Sequence, residues 1–283
     1  MAENGFLMKA ISLILLLVLN LPAGLFAQER ILFDRLPSEL GLSQNLISAI
    51  LQDHKGFLWF GTKDGLNRFD GYKFTVYRHD PFDSTSLSDS YITALLEDRA
   101  GRIWVGTLRG GLNLFERERE IFHRSLPEAG NPNSLSNERI NAIAEDHQGA
   151  IWIGTYGGLN KLVLPAATKT LAGSKALAGA VYTRFQYEPH KPKSLGDNPV
   201  FKILVDQKNV IWVATLRAIY QILPADHTVT RFGSALPNAA WKKWFEKDHN
   251  ELAYSMARGA QGKIWIGNAL GFMSWNAAAN AYT

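Results

Sequence analysis

Asp53-His54-Lys55-Gly56-Phe57-Leu58-Trp59-Phe60-Gly61-Thr62 is the stretch whose recurrence decides the fold. It returns as Asp98 to Thr107, with Gly101, Trp104 and Gly106 in register, and again as Asp146 to Thr155, with Gly149, Trp152 and Gly154. A fourth copy, Asp206 to Thr215, keeps Trp212 but carries Asn209 and Ala214 where glycine is expected. A fifth centres on Trp265, with Gly262 and Gly267, and has Gly259 in place of the aspartate. The tryptophans lie 45, 48, 60 and 53 residues apart. Such periods suit four-stranded propeller blades, for which ~40–50 residues is usual, and are too long for leucine-rich or ankyrin units.

Working outward from the first copy, alternation and turn chemistry divide the repeat into four strands. Ile47 to Leu51 is the inner strand, and Asp53 to Gly56 is a turn in which the carboxylate caps backbone N–H groups while glycine takes positive φ. Phe57 to Thr62 is the second strand. Trp59 and Gly61 share one of its faces, so the missing side chain leaves room for the bulk of a neighbouring blade. Lys63 to Gly65 turns the chain into Leu66 to Phe69, and Asp70-Gly71 is a hairpin signal leading to the outer strand, Lys73 to Tyr77. Both faces of these strands are apolar, as stacked sheets require. One tryptophan per repeat at fixed register therefore reads as blade-to-blade core.

A second phrase precedes each inner strand: Gly41-Leu42-Ser43-Gln44-Asn45, Ser86-Leu87-Ser88-Asp89, Pro132-Asn133-Ser134-Leu135-Ser136-Asn137 and Pro192-Lys193-Ser194-Leu195-Gly196-Asp197. The fifth repeat has Trp241-Lys242-Lys243-Trp244 upstream instead. Between Leu164 and Val181, a segment rich in Ala, Gly, Lys and Thr lengthens the third repeat and reads as a surface loop.

Composition agrees with an all-β chain. Of 283 residues, 46% are hydrophobic and 20% charged, which excludes a disordered tail. The 24 Gly, 8 Trp, 15 Phe and 9 Tyr suit short strands and tight turns rather than helical bundles. The net charge of +4 comes without a basic run, so no nucleic-acid partner is expected. With no cysteine, disulfides, thiolate metal sites and a cysteine nucleophile are excluded.

The N-terminus reads as an export signal. Lys9 precedes the apolar run Ile11 to Leu19, and Leu21-Pro22-Ala23-Gly24 leads to an expected cleavage after Ala27. The apolar run is shorter than the ~20 residues that span a bilayer. The expected organisation is a signal peptide over 1–27 and a β-propeller sensor domain over 28–283, located in the periplasm.

The combined phrase, Gly-Leu-Ser-x-Asn followed by Asp-x-x-Gly-x-x-Trp-x-Gly-Thr-x-x-Gly-Leu-Asn, resembles the two-component regulator propeller repeat. Leu42 to Phe69, Leu87 to Phe115 and Leu135 to Leu162 carry it closely; Leu195 to Ile222 and Ala253 to Trp275 carry it loosely. The resemblance implies the extracytoplasmic sensor region of a histidine kinase or hybrid two-component protein, many of which respond to oligosaccharides. It also implies that five repeats belong to a longer, seven-bladed propeller, with the membrane helix and kinase in parts missing from this chain. A closed five-bladed ring, in which Ile31-Leu32-Phe33-Asp34 supplies the last outer strand, is the alternative.

Catalysis finds little support. The turn Asp and Gly are three apart, unlike the two of sialidase Asp boxes, and scattered acids single out no glycosidase pair. His54 and His147 follow the turn aspartates and read as exposed turn residues. No cofactor, metal ligand or catalytic residue is assigned. Binding has a more definite place, because the loop leading into each inner strand and the loop between second and third strands open on one face. That face collects Asn45, Lys63, Asp64, Asp89, Tyr91, Arg109, Asn137, Arg139, Tyr156, Asn198 and Arg217. Aromatic rings with amide, carboxylate and guanidinium groups are what an oligosaccharide requires. The competing expectation is a protein-interaction or dimerisation scaffold, whose partners would be a second copy or the remaining sensor-kinase domains.

Overall fold

The computed structural model describes residues 41–165, 177, 179–191, 193–232, 255–268, 271–276 and 281–282. Four expectations lie outside them: the signal peptide, the Ile31 to Asp34 strand, the Trp241 to Trp244 segment and most of the long loop after Leu164.

The twenty described strands form five antiparallel sheets, each in simple sequence order. The first comprises β1 (Ile47–Gln52), β2 (Leu58–Thr62), β3 (Gly65–Phe69) and β4 (Phe74–Tyr77). The second runs β5 (Ile92–Glu97), β6 (Ile103–Thr107), β7 (Leu112–Glu116) and β8 (Ile121–Ser125). The third is β9 (Ile140–Glu145), β10 (Ile151–Thr155), β11 (Gly158–Val163) and β12 (Val181–Phe185). The fourth is β13 (Val200–Val205), β14 (Ile211–Thr215), β15 (Ile219–Ile222) and β16 (Val229–Arg231). In the fifth, β17 (Ser255–Arg258), β18 (Lys263–Asn268) and β19 (Gly271–Asn276) are followed by a short outer strand, β20 (Ala281–Tyr282). The inner strands β1, β5, β9, β13 and β17 neighbour one another in that order. This is the blade pattern the repeats predict.

Between blades, the glycine two after tryptophan is a socket. A Cβ on Gly61 would lie 2.7 Å from Ile92 Cγ2, one on Gly106 2.6 Å from Ile140 Cγ2, and one on Gly154 2.6 Å from Val200 Cγ1. Each of these β-branched residues opens the following inner strand and fills the space its neighbour leaves. Gly106→Ala is therefore expected to destabilise the fold by about 1–3 kcal/mol, because overpacking displaces Ile140. Urea denaturation checks this, and an unchanged midpoint would show that the interface is looser than described.

The inner strands carry bulges between Ile47 and Ala49, Ile92 and Ala94, and Val200 and Lys202, with a matching one opposite Gly154 and Thr155. The bulge residues stitch blades together. Ser48 Oγ donates to Ile92 O, Thr93 Oγ1 to Ile140 O at 2.6 Å, and Asn141 Nδ2 to Val200 O at 2.8 Å.

Trp59, Trp104, Trp152 and Trp212 are all fully buried, as core residues should be. Trp265 is not: it is 41% exposed and packs against Phe272, itself 78% exposed. The reason is local, since a Cβ on Gly267 would meet nothing nearer than Gly271 O at 3.9 Å. Among the described residues, nothing fills the socket of the fifth blade.

Candidate functional site

The first four blades are held at both ends by polar units. At the turn after the inner strand, Asp53 Oδ1 accepts from Lys55 N and Phe57 N at 3.0 Å, while Oδ2 accepts from Trp59 Nε1 at 2.9 Å. The same indole bond joins Trp104 to Asp98 at 2.8 Å, Trp152 to Asp146 at 2.9 Å and Trp212 to Asp206 at 3.0 Å. Burial opposes ionisation of Asp53, but hydrogen bonds from Trp59 and Arg117 outweigh it and hold its carboxyl below the ordinary range. Glycine supplies positive φ at the turn in the first three blades; in the fourth, Asn209 does so at φ 63. The residue after each aspartate reaches the next blade: His54 N donates to Glu97 Oε2, Arg99 N to Glu145 Oε2 and His147 N to Asn209 Oδ1. His54 and His147 are exposed turn residues.

At the opposite face, a Ser–Thr–Asn unit clamps the lead-in loop onto the loop between second and third strands. Ser43 N donates to Asn67 Oδ1 at 2.9 Å, Asn67 Nδ2 returns a bond to Ser43 Oγ at 2.9 Å, and Ser43 Oγ lies 3.0 Å from Thr62 Oγ1. Ser88 with Asn113, and Ser136 with Asn160, repeat the exchange. The fourth blade replaces both partners: Gly196 N donates to the Tyr220 hydroxyl at 2.7 Å, and a Cβ on Gly196 would fall 2.2 Å from that oxygen. Motif-level reading missed this clamp. Its signal was the joint presence of Ser after Leu and Asn after Gly-Leu in the same three repeats.

The eleven candidates stand on these clamped loops, in four successive blades. Some do local work. Asp89 accepts from Tyr91 N at 3.2 Å and Arg109 N at 2.9 Å, Asn137 accepts from Arg139 N at 2.9 Å, and Asn198 accepts from Tyr187 N at 2.7 Å. Asp64 is bound to Arg78 at 2.9 Å, a hydrogen bond that keeps its carboxyl below the usual range. Others are presented to solvent: Asn45, Lys63, Arg109, Arg139 and Arg217 are exposed. Two cation–π pairs form on this surface. Lys63 Nζ sits 5.5 Å from the Tyr91 ring, joining the first and second blades, and the Arg139 guanidinium sits 4.7 Å over Tyr156 within the third. Tyr156 remains 46% exposed beneath it. A further residue belongs beside Asn198 and Arg217. The carboxylate of Asp197 is enclosed without a well-formed hydrogen bond, next to the Thr215 hydroxyl and Arg217 N–H, and burial pushes its carboxyl up.

None of the eleven lines the two described cavities, which lie along the inner strands. One of about 380 Å³ is bounded by β1, β5, β9 and β13. The other, about 610 Å³, is bounded by the ends of β5, β9, β13 and β17 nearest the aspartate turns. Among the described residues, no group of three His, Asp or Glu side chains is placed to hold a metal ion, and no helix is long and apolar enough to cross a membrane.

Comparison with known proteins follows the same motifs. Residues 41–64, 86–109 and 134–157 match the two-component regulator propeller family. Histidine kinase P4 of Formosa agariphila is 57% identical over 47 residues, 17% of this chain and 3% of that one. The extracellular domain of the BT3049 hybrid two-component system of B. thetaiotaomicron superposes with a TM-score of 0.68 at 24% identity, covering 88% of this chain and 31% of its own. That of BT4673, from the same organism, gives 0.64 at 23% identity, over 84% and 30%. The chain thus spans about a third of the length of these structures and a small part of the kinase. The two-component regulator propeller motif is thus matched in the first three repeats, and the four-stranded blade it belongs to is formed five times.

Proposed function

We propose that this chain is the sensing part of an extracytoplasmic two-component sensor and that it takes a small oligosaccharide or similar solute on the lead-in-loop face. The observation that carries the reading is the contrast between scaffold and presented residues. The Ser–Asn exchange is kept in three blades and replaced by Gly196–Tyr220 in the fourth, whereas the exposed residues of the adjoining loops change from Lys63 to Arg109 to Tyr156 to Arg217. The half-exposed Tyr156 ring offers a stacking surface for a sugar's apolar face, and the guanidiniums and amides offer directional hydrogen bonds. Neighbours that are extracellular domains of hybrid two-component systems, and a histidine kinase as sequence relative, support the signalling context. In this reading residues 1–27 are removed after Ala27, the domain over 28–283 acts in the periplasm, and catalysis belongs to a kinase elsewhere in the sensor.

Calorimetric screening of neutral and charged oligosaccharides tests the site. Arg109→Ala and Tyr156→Ala are each expected to weaken a binder roughly tenfold or more, the consequence of losing a charge-assisted hydrogen bond or a ring contact. Unchanged affinity in both folded variants would remove this face as the site. A screen without any binder would favour the second reading, a protein-interaction scaffold. The exposed Trp265 and Phe272 surface motivates that alternative, because two exposed aromatic rings in contact offer an apolar docking face to a further repeat or a second copy.

A further inference from the structure

We propose that the larger channel cavity, at the aspartate-turn end of the inner strands, is a separate site for a small organic anion: a carboxylate or similar charged head on an apolar body. Lys202 and Arg258 line this cavity, and among the described residues neither side chain has a hydrogen bond or ion pair. The other charges at its wall are already satisfied. Arg99 donates through Nη1 to His147 O at 2.9 Å and through Nη2 to Asp146 O, and its Nε lies 3.5 Å from Glu145 Oε2. The carboxylate of Glu145 also accepts from Arg99 N at 2.9 Å. Arg99 and Glu145 thus offset one another, leaving Lys202 and Arg258 as two cations of one concave space without a partner among the described residues.

Register shows that Lys202 departs from the repeat. It pairs across the sheet with Ala214, where Ala49 faces Gly61, Ala94 faces Gly106 and Ala142 faces Gly154. Three blades therefore manage with a methyl group at the position where the fourth carries an ammonium, so packing does not demand the lysine. Lys202 also borders the smaller cavity, which places it where the two spaces meet. Lys202 and Arg258 are both exposed, so their charges are open to an incoming anion. The walls of the larger cavity are apolar at Leu96, Ile143, Ile203 and Met256, and a volume of about 610 Å³ accommodates an aromatic or short aliphatic acid. Inorganic ions would leave that surface uncovered.

Titration calorimetry with sodium benzoate, and with benzyl alcohol as its uncharged counterpart, tests the site on the whole chain. Benzoate is expected to bind, and to bind more weakly as salt rises. Lys202→Ala, which restores the alanine of the other repeats, and Arg258→Ala should each weaken it roughly tenfold with unchanged circular dichroism and melting temperature. Lys73→Ala, which removes an exposed charge in the turn before the first blade's outer strand, should not. Absence of benzoate binding, equal binding of benzyl alcohol, or unaltered affinity in both cavity variants would each overturn the proposal. The oligosaccharide screen reads the opposite face, so either result stands without the other.

Discussion

Replacing Trp152 with alanine is expected to cost about 3–5 kcal/mol of folding stability, the usual consequence of truncating a buried tryptophan. Trp152 is fully buried, its ring centroid is 5.5 Å from that of Phe185, and Lys161 Nζ lies 5.4 Å from it. Its loss opens a cavity within the blade and also withdraws a donor from Asp146. Trp265→Ala should cost far less, because that ring is 41% exposed and its repeat carries Gly259 where the others have aspartate. Urea denaturation of the two variants compares them directly. A Trp152→Ala protein that kept its midpoint but lost ligand binding would assign this ring to a ligand platform rather than the core.

Asp146→Ala should be of similar severity. The fully buried carboxylate accepts from Gln148 N, Ala150 N and Trp152 Nε1 at 2.9, 3.0 and 2.9 Å. Each buried donor left without a partner costs about 1–3 kcal/mol, so removal of the acceptor harms the turn and the strand together. Because the indole bond is shared, Asp146→Ala combined with Trp152→Ala should cost less than the two single losses added, by roughly 0.5–3 kcal/mol. A double-mutant cycle in urea provides that number. Strict additivity would mean that the aspartate serves the turn alone and that the indole bond contributes nothing.

The fold was legible because the first three blades repeat one solution to one packing problem and the other two vary it. Trp and Gly two residues apart specify a face, and the strand ends follow from Asp-Gly turns, so the predicted strands of the first blade match β1 to β4 within a residue or two. The Asp–Trp bond was hidden because a turn aspartate already has a local explanation in capping N–H groups. The Ser–Thr–Asn clamp was hidden for a different reason: its partners are 24 or 25 residues apart and meet only once the sheet is formed. The exposed Trp265 departs from the core reading that holds for the other four: its register is normal, but Gly259 replaces the aspartate that binds the other indoles, and among the described residues no knob lies opposite Gly267. Asp197 and the channel cavity were illegible altogether: the first depends on how Thr215 and Arg217 of its own blade enclose it, the second on which side chains from different blades converge.

Hydrogen–deuterium exchange of the whole chain, with and without the tightest solute from the oligosaccharide screen, is the most direct test of where sensing occurs. The account predicts added protection in the lead-in loops near Ser43, Ser88, Ser136 and Gly196 and in the loops that carry Lys63, Arg109, Tyr156 and Arg217. The turns after Asp53, Asp98, Asp146 and Asp206 should exchange as before. Protection confined to those turns, or to the Trp265 and Phe272 surface, would contradict it.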